Sequence, residues 1–466
     1  MNRPTPSPAT AWAPLLRSAV ALHGLAAAGW LAVGCVLQLV ATIRCIDGDF
    51  AAGIGALAQG RIAATATIAI DYGWGVNAAL AAALWLAPRL RERPASASGV
   101  AFIAAVAWNV ALAGACVAAQ MDFTSGFPGM PFGAQSGLFA AITLLLASAN
   151  VLHSLGAGAA TLPGRWLCTA FGVFPVLFAL GVYSTAIAPA PGLMPAIAAA
   201  WAAPLPLTLA LVPAGLALAY ARAIDNTAVT RPVAGFAPLL HATWLFAAPW
   251  IGLAPWVASP VPAWMPAAAT SMAIVLGFVA FVLVLDLWRA QAGSWDGLLA
   301  RIGILGLAAW IVLTALSGLP LLAGILPFTR FADGTRLVGI AAAALLLLGA
   351  LRPAIPEVTG EDWKPLGCPR LLGIAWIALA IVAFAAYCIA GGWSAGTALA
   401  ATDALGKVLA SHAEITRGLE TWNTAVAAAW GFLLAAAITV TLQAAWLSRH
   451  VCLVRRALAN LGIIRA

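Results

Sequence analysis

A few side chains in this sequence could bind a metal or move a proton from within apolar surroundings. The segment TATIAIDYGWGV, residues 65–76, sets Asp71 among hydrocarbon side chains. A carboxylate is costly in a bilayer interior, so one at that depth is a functional-site expectation in its own right. Asp71 reads either as a neutral, hydrogen-bonded acid or as a proton-relay group, and no Lys or Arg inside a membrane span offers itself as a partner. Imidazole is the other candidate chemistry, because it suits iron, copper and zinc alike. The sequence has five histidines: His23, His153, His241, His412 and His450. The last two fall in hydrophilic stretches and read as solvated. The seven cysteines include no Cys-x-x-Cys pair, which argues against metal clusters and thioredoxin-like chemistry. No Gly-x-x-x-x-Gly-Lys loop or zinc-type His/Cys spacing occurs, so nucleotide-driven and zinc chemistry are not expected.

The elements that must position these groups are apolar runs. The chain is 63% hydrophobic and 8% charged, against roughly 25% charged residues in a soluble globule. The sequence therefore predicts an all-α polytopic membrane protein. Runs of about 20 residues, each able to cross a ~30 Å hydrocarbon core, number twelve. They are placed at 18–43, 62–88, 98–120, 134–157, 166–188, 192–221, 236–258, 262–288, 299–326, 334–351, 371–392 and 422–447. They form one membrane domain, 18–447, between an N-terminal segment, 1–17, and a basic tail, 448–466. The alternating ten-residue pattern of a transmembrane barrel is missing.

Basic residues set the orientation, since Lys and Arg are retained on the cytoplasmic side. With both termini cytoplasmic, seventeen of the 23 basic residues fall inside. Six fall outside: Arg44, Arg61, Arg330, Arg336, Lys407 and Arg417. A bacterial-type inner membrane is the expected location, the lipid bilayer the first partner, and the net charge of +8 reflects this asymmetry, not nucleic-acid binding. No cleavable signal peptide is expected. The outer connection 393–421 reads as a surface helix. Asp286, followed by Arg289, is expected at the inner interface.

Residues 60–86, GRIAATATIAIDYGWGVNAALAAALWL, resemble the second helix of the heme-copper oxidase catalytic subunit, closest to the cbb-type. There a Gly-Arg start is followed by a haem-ligating histidine and a Gly-Trp-Gly-x-Asn stretch. Gly60, Arg61, Thr67, Gly73, Trp74, Gly75 and Asn77 fit. WNVALAGACVA, VFPVLFALGVYST, PWIGLAPWVASPVPAW and FTRFADGTRLVG resemble later segments of the same family in the same order.

The resemblance implies where the metals would be held, and this chain departs from it at every ligand. The haem ligand of the second span is replaced by Ala66, and the His-x-His pair of the tenth by Thr335 and Leu337. The two adjacent copper histidines fall on Ala254 and Pro255, and the third copper ligand on Pro204 or Leu205. The family's cross-linked tyrosine falls on Ala248. Alkyl groups cannot ligate iron or copper, so no cofactor is expected. The ligand positions all lie in the outer third of their spans and should converge at one depth. Asp71 is five residues past Ala66, a rotation of ~140°, and should face away from it. Trp74, Trp201, Trp250 and Trp256 are expected to fill volume that porphyrin would take.

The resemblance thus implies a non-catalytic homologue acting as a structural or accessory subunit of a membrane respiratory or electron-transfer complex. Membrane-anchored c-type cytochromes or other respiratory subunits would be its partners. Two alternatives stay open. One is a haem-binding electron-transfer subunit or oxidase with ligands relocated to His23, His153 and His241. The other is a proton or solute transporter on the same scaffold, with Asp71 as its ion-coupled group.

Overall fold

The structure, a computed structural model, describes residues 14–51, 53–91, 98–127, 129–225, 235–258, 260–290, 295–323, 326, 331–351, 358, 392 and 420–451. Every regular element among them is helical. The main helices are α1 (Pro14–Ile46), α2 (59–91), α3 (Ser98–Gln120), α4 (Ala134–Leu155), α5 (162–187), α6 (194–225), α7 (237–258), α8 (Trp264–Ala290), α9 (Trp295–Ser317), α10 (Phe331–Leu351) and α11 (Glu420–Val451). Among the described residues, nine helices are long and apolar enough to cross a membrane. The α2 helix is not among them, because Asp71 and Asn77 lower its hydropathy, yet its residues 72–87 are all buried. The expected span 371–392 lies outside the described residues except at its last position. So does the expected outer surface helix at 393–421, except for Glu420 and Thr421, which open α11.

The apolar runs form helices close to where the sequence puts them. Two differences matter for the site. α9 ends at Ser317, nine residues before the expected end, where Gly318 and Pro320 follow; glycine and proline do not continue a helix. α10 begins at Phe331, three residues earlier than expected.

Helix packing in lipid depends on small residues that let backbones approach. α9 and α10 share an extended contact, and Gly303 shows why: a Cβ there would lie 2.7 Å from the Leu346 backbone nitrogen. α1 packs along α2 and α11. At the first of these contacts the Trp30 ring lies over Gly73, where a Cβ would come within 2.6 Å of its Cγ.

Several helices widen locally to the π pattern: Ile68–Val76 in α2, Thr169–Val173 and Tyr183–Ile187 in α5, and Pro206–Leu211 in α6. Such segments release backbone carbonyls and concentrate at functional sites. One carbonyl, that of Thr208, accepts from the Trp244 indole at 2.9 Å. In α7 the stretch Ala248–Ala258 tightens to 3-10 geometry around Pro255. These irregularities place side chains that α-helical counting alone would misplace.

Candidate functional site

A cavity of about 530 Å³ lies among the described residues at one end of the bundle. It is bounded by the C-terminal parts of α1 and α9, the N-terminal halves of α2 and α10, and portions of α6 and α7. Gln59, Ala63, Thr67 and Asp71 recur every four residues along α2 and border it, because that spacing keeps side chains on one helical face. Ala66 is off this stripe and fully buried.

Asp71 is paired. Arg336 Nη2 donates to Asp71 Oδ2 at 2.6 Å, joining α2 to α10. This corrects the expectation that Asp71 has no basic partner within a span. The reason is the early start of α10: Arg336 lies in the second turn of a helix, not in an outer connection. The Asp71 side chain is 10% exposed and that of Arg336 41%. Both border the cavity.

Three positions that the resemblance marks as metal ligands, Pro204 on α6, Pro255 on α7 and Thr335 on α10, border this same cavity. The others do not. Ala254 is fully buried, Leu205 is 1% exposed, and Leu337 borders a separate apolar cavity of about 220 Å³ with Ile70, Trp74 and Trp430. Ala248 is buried. No histidine is among the described residues lining either cavity. Thr335 is 8% exposed, and its hydroxyl has no hydrogen-bond partner among the described residues. Of the four tryptophans expected to fill porphyrin volume, Trp74 borders the apolar cavity. Trp201 and Trp256 pack on a small cluster around Ile197 and Leu253, and Trp250 is 37% exposed. The aromatic side chains bordering the large cavity are instead Trp310 and Phe331.

The three candidate histidines have separate surroundings. His23 is fully buried, and its Nδ1 lies 2.6 Å from the Asn77 side-chain oxygen. Asn77 and Asn109 exchange amide hydrogen bonds at 3.2 Å, and the Trp30 indole donates to Asn109 at 2.9 Å. A polar network thereby clamps α1, α2 and α3 together. His241 Nε2 lies 2.8 Å from the Thr169 hydroxyl, with the Trp166 ring edge-on to the imidazole. His153, on α4, is exposed. Among the described residues, no group of three or more His, Cys, Asp or Glu side chains is arranged to hold a metal ion. Asp286 is 2% exposed and accepts from the Tyr220 hydroxyl at 3.0 Å; it lies four residues before the end of α8. Cys35 and Cys116 are both free thiols.

At the same end of the bundle, Arg61 Nε donates to Asp122 Oδ1 at 2.8 Å, and a second guanidinium nitrogen meets the other carboxylate oxygen. This two-point grip holds the Asp122 carboxyl below its ordinary pKa. The pair ties the start of α2 to the turn after α3.

No protein-family model matches the sequence, and no curated protein is significantly similar to it.

Proposed function

We propose that this chain is a non-catalytic membrane subunit on a scaffold like that of the cbb-type oxidase catalytic subunit. It serves as a structural or accessory subunit of a respiratory or electron-transfer complex in the cytoplasmic membrane. The carrying observation is that Pro204, Pro255 and Thr335, on three different helices, border one cavity. The resemblance marks all three as metal-ligand positions, and none carries an imidazole. A shared scaffold does not entail shared activity, which resides in a few side chains. Membrane-anchored c-type cytochromes or other respiratory subunits are the partners this reading calls for. Gentle solubilisation, affinity capture of the full chain and mass spectrometry of what accompanies it test the proposal. Stoichiometric haem-bearing subunits are expected; a chain that comes out alone contradicts it.

One observation favours a second reading, a proton or solute transporter: the Asp71–Arg336 pair borders a cavity about midway along α2. Intramembrane charge pairs mark ion and substrate pathways in membrane proteins. Asp71→Asn in proteoliposomes decides it. Loss of pH-dependent flux supports the transporter, and unchanged flux leaves the subunit reading in place.

A further inference from the structure

We propose that the cavity of about 530 Å³ is a water-filled vestibule, entered from the end of the bundle at which α2 begins and closed towards the other end. It gives Asp71 and Arg336 aqueous access from one side of the membrane only. The inference concerns access and stands under either functional reading; capture of partner subunits and pH-dependent flux test those readings separately.

Depth comes from the periodicity of α2. Gln59, Ala63, Thr67 and Asp71 share one helical face and all border the cavity. Gln59, the first residue of the helix, is exposed. Asp71 follows twelve positions later, roughly 18 Å along the axis at 1.5 Å per residue, in a hydrocarbon core about 30 Å thick. Asp333, in the first turn of α10, is likewise exposed and borders the cavity. The space thus runs from exposed side chains at the helix ends to a charged pair inside the bundle.

What fills the space follows from its lining. Gln38 on α1, Thr67 on α2 and Thr314 on α9 add polar side chains to the Asp71–Arg336 pair, in a chain that is 63% hydrophobic. Lipid tails in this space would face amides, hydroxyls and charges with nothing to hydrogen-bond them, which costs far more than water does. A buried water needs two to four polar partners, and at ~30 Å³ each the cavity has room for on the order of ten or more. The apolar cavity of about 220 Å³, which meets this one at Ile340, is lined by Cys35, Ile70, Leu337 and Leu433 among others. It lacks such partners and should stay dry.

Beyond Asp71 the bundle is packed. Residues 72–87 of α2 are all buried. Leu211 of α6 lies against Gly75, where a Cβ would come within 2.6 Å of its Cδ1, and Leu346 of α10 against Gly215, where a Cβ would come within 2.8 Å of its Cδ2. The rings of Phe132 and Phe178 close on Tyr72, with centroids 4.8 and 5.2 Å from its own. Interior packing of this density has few voids large enough for a water. Among the described residues, a chain of waters therefore has no route to Asp71 from the far end.

Thiol labelling tests this on the full chain in sealed membrane vesicles. The membrane-impermeant reagent trimethylammonium-ethyl methanethiosulfonate is applied from one side, and modified peptides are quantified by mass spectrometry. Gln59→Cys, at the mouth, and Ala160→Cys, at an exposed position in the turn after α4, report which side the reagent reaches. That turn is at the far end, where Arg91 of α2 donates to the His153 carbonyl. Thr67→Cys should react from the side that labels Gln59→Cys and not from the side that labels Ala160→Cys. It should react about tenfold faster than Phe278→Cys, because the reactive thiolate forms in water and not in hydrocarbon; Phe278 is an apolar side chain 70% exposed midway along α8. In the unmutated chain, with reagent on both sides, Cys45 on the vestibule wall should react and Cys35 on the apolar cavity should not. Labelling of Thr67→Cys from the far side, or no faster than Phe278→Cys, overturns the proposal. So does an unreactive Cys45, or a Cys35 that reacts as fast as Cys45, and that comparison decides the matter even where a variant fails to fold.

Discussion

Arg336 and Asp71 are 265 positions apart in sequence and 2.6 Å apart in the structure. Their ion pair joins the α10 and α2 helices across the wall of the cavity of about 530 Å³. Breaking a fully buried pair from one side costs about 3–5 kcal/mol. Arg336 is 41% exposed, and that screening reduces the figure to about 1–3 kcal/mol for either single alanine variant. The double variant should cost less than the sum of the two singles, because neither charge is then left alone. A double-mutant cycle by reversible unfolding in mixed micelles measures this; additive losses would show that the two side chains do not interact.

The pair also marks how far the sequence could be read. Apolar runs locate most of the helices to within a few residues, because a bilayer fixes the length and composition of what can cross it. Asp71 is conspicuous for the same reason. Its partner is not. An arginine two residues into an expected span looks like an outer anchor, and the three extra residues at the start of α10 turn it into a side chain on a cavity wall. The early stop of α9 at Ser317 is set locally by Gly318 and Pro320, and π-widened segments run through Asp71 and Thr208. Periodicity alone does not register them. The Gly318 and Pro320 pair was the one available signal for the early stop.

The Arg61–Asp122 pair should make stability depend on pH. Asp122 has a lowered pKa in the folded protein because Arg61 hydrogen-bonds its charged form. The stabilisation is therefore present above the ordinary aspartate value of about 3.9 and disappears as pH falls through the lowered one. Asp122→Asn should melt below wild type at pH 7 and at pH 5, and the two should converge under strongly acidic conditions. Because the carboxylate is exposed, added salt should narrow the gap at neutral pH. Melting curves across pH and ionic strength check both statements.

Asn77 bonds to His23, Asn109 and the Gly73 carbonyl from a fully buried position. Asn77→Leu strips His23 and Asn109 of partners together, at a cost of about 2–4 kcal/mol. His23→Phe should cost less, since it removes one end of the network and leaves the exchange between Asn77 and Asn109 intact. Unfolding titrations rank the two variants; the reverse order would place the energetic weight on the histidine.

Gly73 lets Trp30 lie against α2. Gly73→Ala puts a methyl group 2.6 Å from the ring and should destabilise by about 1–3 kcal/mol through overpacking. Trp30→Leu in the same chain should relieve part of that loss. Thermal melts of the two single variants and the double variant show whether it does.

The most direct test is spectroscopic: the full chain, purified with haem and copper supplied during expression, examined for a Soret band, by pyridine haemochrome assay and by metal analysis. With alkyl and hydroxyl side chains at the positions that the resemblance marks as ligands, the proposed non-catalytic reading predicts a colourless polypeptide with neither haem nor copper. Stoichiometric haem on the isolated chain would contradict the non-catalytic reading and point to relocated ligands.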